Sequence, residues 1–147
     1  MNEVEMALKR PFPVNKIKWR PGGGGKDLCY IDARDVMDRL DQVFGMFGWQ
    51  TNYEFMGGRM ICNLSVRFDA DYESGKSEWI TKSDGSDDTN IEGEKGGISG
   101  ALKRSAVLLG IGRYLYNSNA FNSNREPASW ATPEGFDELM EKRNVSA

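Results

Sequence analysis

Strictly alternating apolar and polar residues in the middle of the chain predict β-strands with one buried face. The clearest run has an apolar side chain at every second position: Met60, Cys62, Leu64, Val66 and Phe68. A similar alternation covers residues 49–55, and Gly57-Gly58 between the two runs is a typical hairpin turn. A second turn at 73–76 leads into a third short run at 78–82. The pattern therefore predicts a three-stranded antiparallel meander.

Apolar residues spaced three and four positions apart predict helices on both sides of this meander. Two short extended runs, 17–20 and 28–31, enclose a proline and four consecutive glycines near the N-terminus. We therefore predict an α+β fold in which the meander packs with a long helix and a shorter helix, with a strand pair near the N-terminus. The predicted helices cover residues 4–9, 33–44, 92–109 and 133–142.

Length and composition fit one globular domain. The chain has 147 residues, of which 39% are apolar and 28% charged, enough for one sizeable core. We expect the main domain at residues 1–116 and a loop-rich extension with a short helix at 117–147. The charged N-terminus lacks the apolar stretch of a signal peptide, and no apolar run is long enough to span a membrane. An intracellular protein without a membrane partner is therefore expected.

The residue types present exclude most catalytic chemistry. The chain has no histidine, so it has no imidazole base and no histidine-ligated metal. Its two cysteines lack metal-ligand spacing and are expected to be buried small side chains. We therefore expect no enzymatic activity, no metal and no cofactor. Three segments resemble ligand loops only superficially: Gly22–Lys26 a phosphate loop, 69–75 a calcium loop, and Asp84, Asp87 and Asp88 a metal site.

The formal net charge of −3 conceals a strong segregation of charges along the chain. Residues 10–26 and 95–113 contain basic side chains and no acid, whereas residues 69–94 are strongly acidic. Two acid-free basic segments can form one positive surface for a nucleic acid, or they can be unrelated solvated faces. Charge alone leaves both interpretations open.

The long helix carries the clearest candidate for binding. A wheel of 100° per residue predicts Lys103 and Arg104 on its outward half, together with Gly96, Gly97 and Gly100. Helical glycines cost stability, and close approach of another backbone, from a sugar-phosphate chain or a neighbouring subunit, is the usual reason for them. Alternatively, the glycines mark an irregular helix start and the basic pair is merely solvated. The predicted core face consists of Ile98, Leu102, Ser105, Ala106 and Leu109.

Four segments resemble the single-strand annealing proteins, a family that includes phage Sak-type annealing proteins, bacterial DdrA-type DNA-end-binding proteins and the eukaryotic recombination mediator Rad52. The most specific segment is GGISGALKRSAVLLGIGRYLY at 96–116. Leu8–Pro21, Gly22–Gly45 and Phe47-Gly48-Trp49 agree with the family in order and spacing. The resemblance implies a three-stranded sheet crossed by the long helix, and a ring or arc of many subunits with single-stranded DNA in a basic groove.

The resemblance also implies site residues. Lys103 and Arg104 match the Lys-Arg pair of the family's DNA groove, and Lys95 matches a basic position ahead of that helix. Arg34 lies one place before the groove position on the first main helix, where this chain has Asp35. Val107 replaces a further basic residue of the eukaryotic member. Four other cations are expected to compensate: Arg113, Lys18, Arg20 and Lys26.

The function implied by the resemblance is ATP-independent binding and annealing of single-stranded DNA in recombination and repair, in a bacterial cell or a phage-infected host. A single-strand-binding protein or an exonuclease is a further candidate partner. Two alternatives stay open: protective binding of DNA ends without annealing, and a ring-forming structural module without DNA activity.

Overall fold

The computed structural model describes residues 1–68, 78–86 and 93–146. They form two compact units: unit 1 contains Met1–Asp32 and Gly110–Ala147, and unit 2 contains Ala33–Leu109. Among the helices of the described residues, none is long and apolar enough to cross a membrane. The helices are α1 (Glu3–Lys9), α2 (Ala33–Phe44), α3 (Gly93–Val107) and α4 (Pro133–Ser146). The strands are β1 (Lys18–Pro21), β2 (Asp27–Tyr30), β3 (Trp49–Met56), β4 (Arg59–Val66) and β5 (Ile80–Gly85).

Unit 2 is built on an antiparallel sheet with the strand order β3-β4-β5, which confirms the predicted meander. The β3–β4 hairpin turns at Gly57 and Gly58, whose φ angles of 60° and 80° suit a two-residue hairpin loop. Alternate residues of β4 are fully buried, namely Cys62, Leu64 and Val66. α3 packs against β4 and β5, and α2 contacts both β3 and α3.

The third strand lies further along the chain than predicted. The alternation predicts residues 78–82, whereas β5 covers Ile80–Gly85. The ladder places Ser83 opposite Asn63, and the Ser83 hydroxyl donates a hydrogen bond of 2.6 Å to Oδ1 of Asn63. The Ser-Asp-Gly sequence of this stretch is typical of turns, but pairing with β4 overrides that preference. The turn predicted at 73–76 lies outside the described residues.

α3 rests on the sheet through small side chains. Its first turns approach the sheet through Gly97 and Gly100, which leaves Ile98 at the side of the buried face. Accordingly, Ile98, predicted on the core face, is 39% exposed. Leu109, also predicted there, is half-buried beyond the end of α3. The buried residues of α3 include Ala101, Leu102, Ser105 and Ala106, of which the last three were predicted.

Two glycines of α3 face the sheet, so their predicted position on the outward half is wrong. A Cβ atom at Gly97 would lie 3.4 Å from Cβ of Met60, and one at Gly100 would lie 3.5 Å from Cβ of Ser86. The helical wheel assigned Ile98 to the core. This assignment rotated the predicted buried face away from Gly97 and Gly100. At these two positions, the close approach is to the protein's own sheet.

Unit 1 contains the predicted strand pair near the N-terminus. β1 and β2 pair in antiparallel register, with Trp19 opposite Cys29. The Trp19 ring meets Phe121 edge-on at 5.2 Å, and the Cys29 thiol donates a hydrogen bond of 3.5 Å to the carbonyl oxygen of Leu115. One face of this hairpin is therefore covered by the segment that follows α3.

The C-terminal helix is tied to the N-terminal one. Arg10, which follows α1, donates from Nε and Nη2 to Asp137 of α4 at 3.0 and 2.9 Å. The hydrogen bond to the Asp137 carboxylate raises the pKa of Arg10. Thr132 caps α4 by accepting the Gly135 N–H at 3.0 Å, as is typical of a threonine at the start of a helix. The helix extends to Ser146, past its predicted end at residue 142.

Candidate nucleic-acid interface

The predicted phosphate-binding pair, Lys103 and Arg104, lies in the last turns of α3, and both side chains are half-buried. Because Leu102 and Ser105 on either side are buried, a turn of 100° per residue points Lys103 away from the sheet. Its proximity to Asp84 of β5 places Arg104 on the flank of the helix beside that strand. Both residues thus lie outside the core, as the wheel predicts.

Ser105 fixes this part of α3 to the sheet. Its hydroxyl is fully buried, donates to the carbonyl oxygen of Cys62 at 2.8 Å and accepts the N–H of Asp84 at 3.0 Å. Cys62 and Asp84 are opposite residues of the β4–β5 ladder. One side chain therefore bonds both strands and holds the preceding residue, Arg104, in a set position relative to β5.

Arg104 faces a carboxylate. Its Nε lies 3.7 Å from Oδ1 of Asp84, and the two side chains are 40% and 34% exposed. The same Oδ1 accepts the N–H of Gly85 at 2.7 Å, which orients the carboxylate. Sequence reasoning considered Asp84 only as a metal ligand and missed this contact, because only the β4–β5 pairing brings the residue beside α3.

The other predicted contacts of unit 2 are on α2 and α3. Arg34 is exposed in the first turn of α2, and its neighbour Asp35 is half-buried. Lys95 belongs to the first turn of α3, and its side chain lies outside the described part of the chain. Half of the predicted cations therefore lie on two helices that pack against each other.

Unit 1 presents cations on the outer face of its hairpin. Because strand residues alternate, Lys18 and Arg20 project from the face opposite to Trp19. The Lys18 ammonium pairs with Asp32. The guanidinium carbon of Arg20 lies 5.8 Å from the centre of the Tyr30 ring, within the range of a cation–π contact.

Lys26 and Arg113 complete the predicted set in unit 1, and both are exposed. The Lys26 carbonyl accepts the N–H of Gly22 at 2.7 Å, which closes the glycine-rich loop between β1 and β2. A strand, not a helix, follows this loop, so it differs from a phosphate-binding P-loop as predicted. Arg113 begins a single 3₁₀ turn that ends at Tyr116.

Sequence reasoning missed Arg125, which lies against the same hairpin. Its guanidinium carbon is 5.2 Å from the Trp19 ring centre, and its Nε donates to Asp27 at 3.1 Å. Among the described residues, Arg125 is the one non-glycine with a positive φ, 62°, and its N–H donates to the carbonyl oxygen of Asn122. The polar loop around it gave no sequence signal for a contact with distant strands.

The described residues contain no cluster of three or more acidic or cysteine side chains that could hold a metal ion. The calcium-loop candidate at 69–75, and Asp87 and Asp88, lie outside the described residues. Both cysteines are free thiols. Cys62 is buried as expected, whereas Cys29 is only half-buried because it lies on a two-stranded hairpin. Burial raises the pKa of both thiols.

An α+β unit with a basic pair on the helix that crosses its sheet agrees with the fold implied by the family resemblance. The chain belongs to the Rad52/22 family of double-strand break repair proteins, whose sequence pattern matches residues 1–129. A relative from Deinococcus deserti named single-stranded DNA-binding protein DdrA is 36% identical over 152 residues, covering 91% of this chain and 72% of the relative. The DdrA of Deinococcus radiodurans is 30% identical over 125 residues, covering 80% of this chain and 56% of that protein.

Proposed function

We propose that this chain binds single-stranded DNA and anneals complementary strands without ATP in recombination and repair. The observation that carries this proposal is its 36% identity, over 91% of its length, to a protein named as single-stranded DNA-binding. The cations of the two units provide suitable chemistry, because contacts to phosphates supply the sequence-independent part of nucleic-acid binding. The experiment below tests binding and annealing separately.

Lys103 and Arg104 hold phosphates in this proposal. Contacts to phosphates leave the base edges exposed to a complementary strand, so annealing requires neither a covalent step nor a cofactor. Many copies of the chain in a ring or arc would join short basic clusters into one continuous track. Residues 1–116 would form the annealing domain and 117–147 an extension. The supporting contacts come from Arg34, Lys95, Lys18, Arg20, Lys26 and Arg113.

The test compares wild type with Lys103→Ala/Arg104→Ala. A fluorescein-labelled oligothymidylate reports binding at several salt concentrations, and two complementary oligonucleotides report annealing without ATP. If both residues contact phosphates, the variant binds more weakly and its slope of log K against log salt is reduced by about 1.4, at ~0.7 per contact. Lys142→Ala/Arg143→Ala on α4 is the matched control, because it removes the same charge outside the matched residues 1–129.

Each alternative predicts a different result. Binding by wild type without faster annealing would support protection of DNA ends. Assembly into large oligomers without salt-dependent binding would support a structural ring module. An unchanged affinity and salt slope in Lys103→Ala/Arg104→Ala would contradict the assigned site even if wild type anneals DNA. Equal losses in the α4 control would show that total charge, and not this helix face, governs binding.

A further inference from the structure

Asp84 lies where it would oppose a phosphate bound to Arg104. Its Oδ1 is 3.7 Å from Nε of Arg104, and both side chains reach solvent. A phosphate in contact with that guanidinium would lie roughly 6–8 Å from the carboxylate, where two like charges still repel each other. The carboxylate therefore reduces the net attraction that Arg104 exerts on a phosphate.

The position of Asp84 is set by the backbone rather than by its attraction to Arg104. Its N–H is held by the buried Ser105 hydroxyl, which belongs to the residue after Arg104. Its Oδ1 is also oriented by the Gly85 N–H at 2.7 Å. The carboxylate and the guanidinium thus stay near each other even if their mutual attraction is weak, as it is for exposed ion pairs.

We propose that the Asp84 carboxylate competes with a DNA phosphate for Arg104 and thereby lowers the affinity of α3 for single-stranded DNA. The inference rests on the proposed function, since it specifies how that same site is tuned. An annealing protein must release each strand once the strand has paired with its complement. A carboxylate beside one of the two phosphate-binding cations favours such release without removing the cation.

Asp84→Asn tests the charge with little change in shape, because an asparagine Oδ1 can still accept the Gly85 N–H. We expect it to bind the labelled oligothymidylate about threefold to tenfold more tightly at low salt. We also expect a steeper salt dependence, because loss of the carboxylate's charge would let phosphate binding at the guanidinium displace more counterions. Asp84→Ser is a second neutral variant, and melting curves followed by circular dichroism verify that each variant is folded.

Two further variants separate this contact from a general effect of charge. In the Arg104→Ala background, adding Asp84→Asn should no longer tighten binding. Glu138→Gln makes the same change of net charge at an exposed position of α4, away from the proposed contacts, and should alter affinity by less than about twofold.

The possible results distinguish failure of the inference from failure of the proposed function on which it rests. A wild type that binds, combined with an Asp84→Asn variant of equal or weaker affinity, would overturn the inference and leave the proposed function intact. The inference is likewise overturned if the gain in affinity persists in the Arg104→Ala background or is matched by Glu138→Gln. If neither wild type nor any folded variant binds the oligonucleotide, the proposed function fails, and the inference fails with it.

Discussion

Replacing Ser105 by alanine tests how strongly α3 is attached to its sheet. The Ser105 hydroxyl is fully buried and makes bonds of 2.8 Å to the Cys62 carbonyl oxygen and 3.0 Å to the Asp84 N–H. Alanine removes both bonds and leaves the two backbone groups without this partner, next to a position that is itself fully buried. Each buried polar group that loses its partner costs about 1–3 kcal/mol.

Two groups at the lower end of this range cost about 2 kcal/mol in free energy of unfolding, and the higher helix propensity of alanine offsets only a few tenths. For a chain of this length, that loss lowers the midpoint of thermal unfolding by about 4–8 °C. The assay is thermal unfolding followed by circular dichroism, at one fixed protein concentration because any assembly would shift the midpoint.

Ser99→Ala is the matched control, because Ser99 lies on the same helix and is exposed. This control should leave the midpoint unchanged or raise it slightly. If Ser105→Ala unfolds at the wild-type temperature, the hydroxyl does not anchor the helix and the reasoning is refuted. If both variants lose the same stability, the effect comes from the helix and not from the buried bonds.

Two further predictions concern the packing of α3 at Gly100 and the burial of the two cysteine thiols. Gly100→Ala should raise the free energy of unfolding in urea by up to about 1 kcal/mol, because alanine has the higher helix propensity. The new methyl group fits, since it would make an ordinary contact of 3.5 Å with Ser86. A clear loss of stability would mean that the helix lies closer to the sheet. Cys29 and Cys62 have raised pKa values, so their thiolate fractions at pH 8 are small. An aromatic disulfide reagent should therefore react with both thiols more slowly in the folded protein than in urea, and most slowly with Cys62, which is buried. Equal rates in the two conditions would contradict this shielding.

Local signals predict an element well when they agree with one another. α2 covers 33–44 as predicted, because helical spacing of apolar residues ends at Gly45, whose φ of 80° suits a helix stop. The β3–β4 hairpin is predicted for the same reason, since strict alternation flanks a two-glycine turn. β5 shows the opposite case: its Ser-Asp-Gly sequence favours a turn, and only pairing with β4 makes it a strand.

In the candidate site too, some features have a local sequence signal and others depend on tertiary structure. The outward placement of Lys103 follows from the helix period alone. The contact of Arg104 with Asp84 depends on the β4–β5 register, and the contact of Arg125 with Asp27 joins residues 98 positions apart. Neither contact has a local sequence signal, because each is fixed by tertiary structure. The wheel also failed at Ile98, since it assigns the buried face from apolar side chains and cannot identify glycines that face a sheet.

The division of the chain into units bears on the order in which they can fold during synthesis. Unit 2 is continuous, from Ala33 to Leu109, whereas unit 1 needs both ends of the chain. A ribosome makes about 5–20 residues per second, so the first strand pair would wait roughly 4–18 s for the segment that covers Trp19 and Cys29. During that interval the hairpin exposes an uncovered face, while all the strands and helices of unit 2 emerge in sequence and can form their core. Translation therefore favours completion of the sheet and its crossing helix before the N-terminal hairpin is buried.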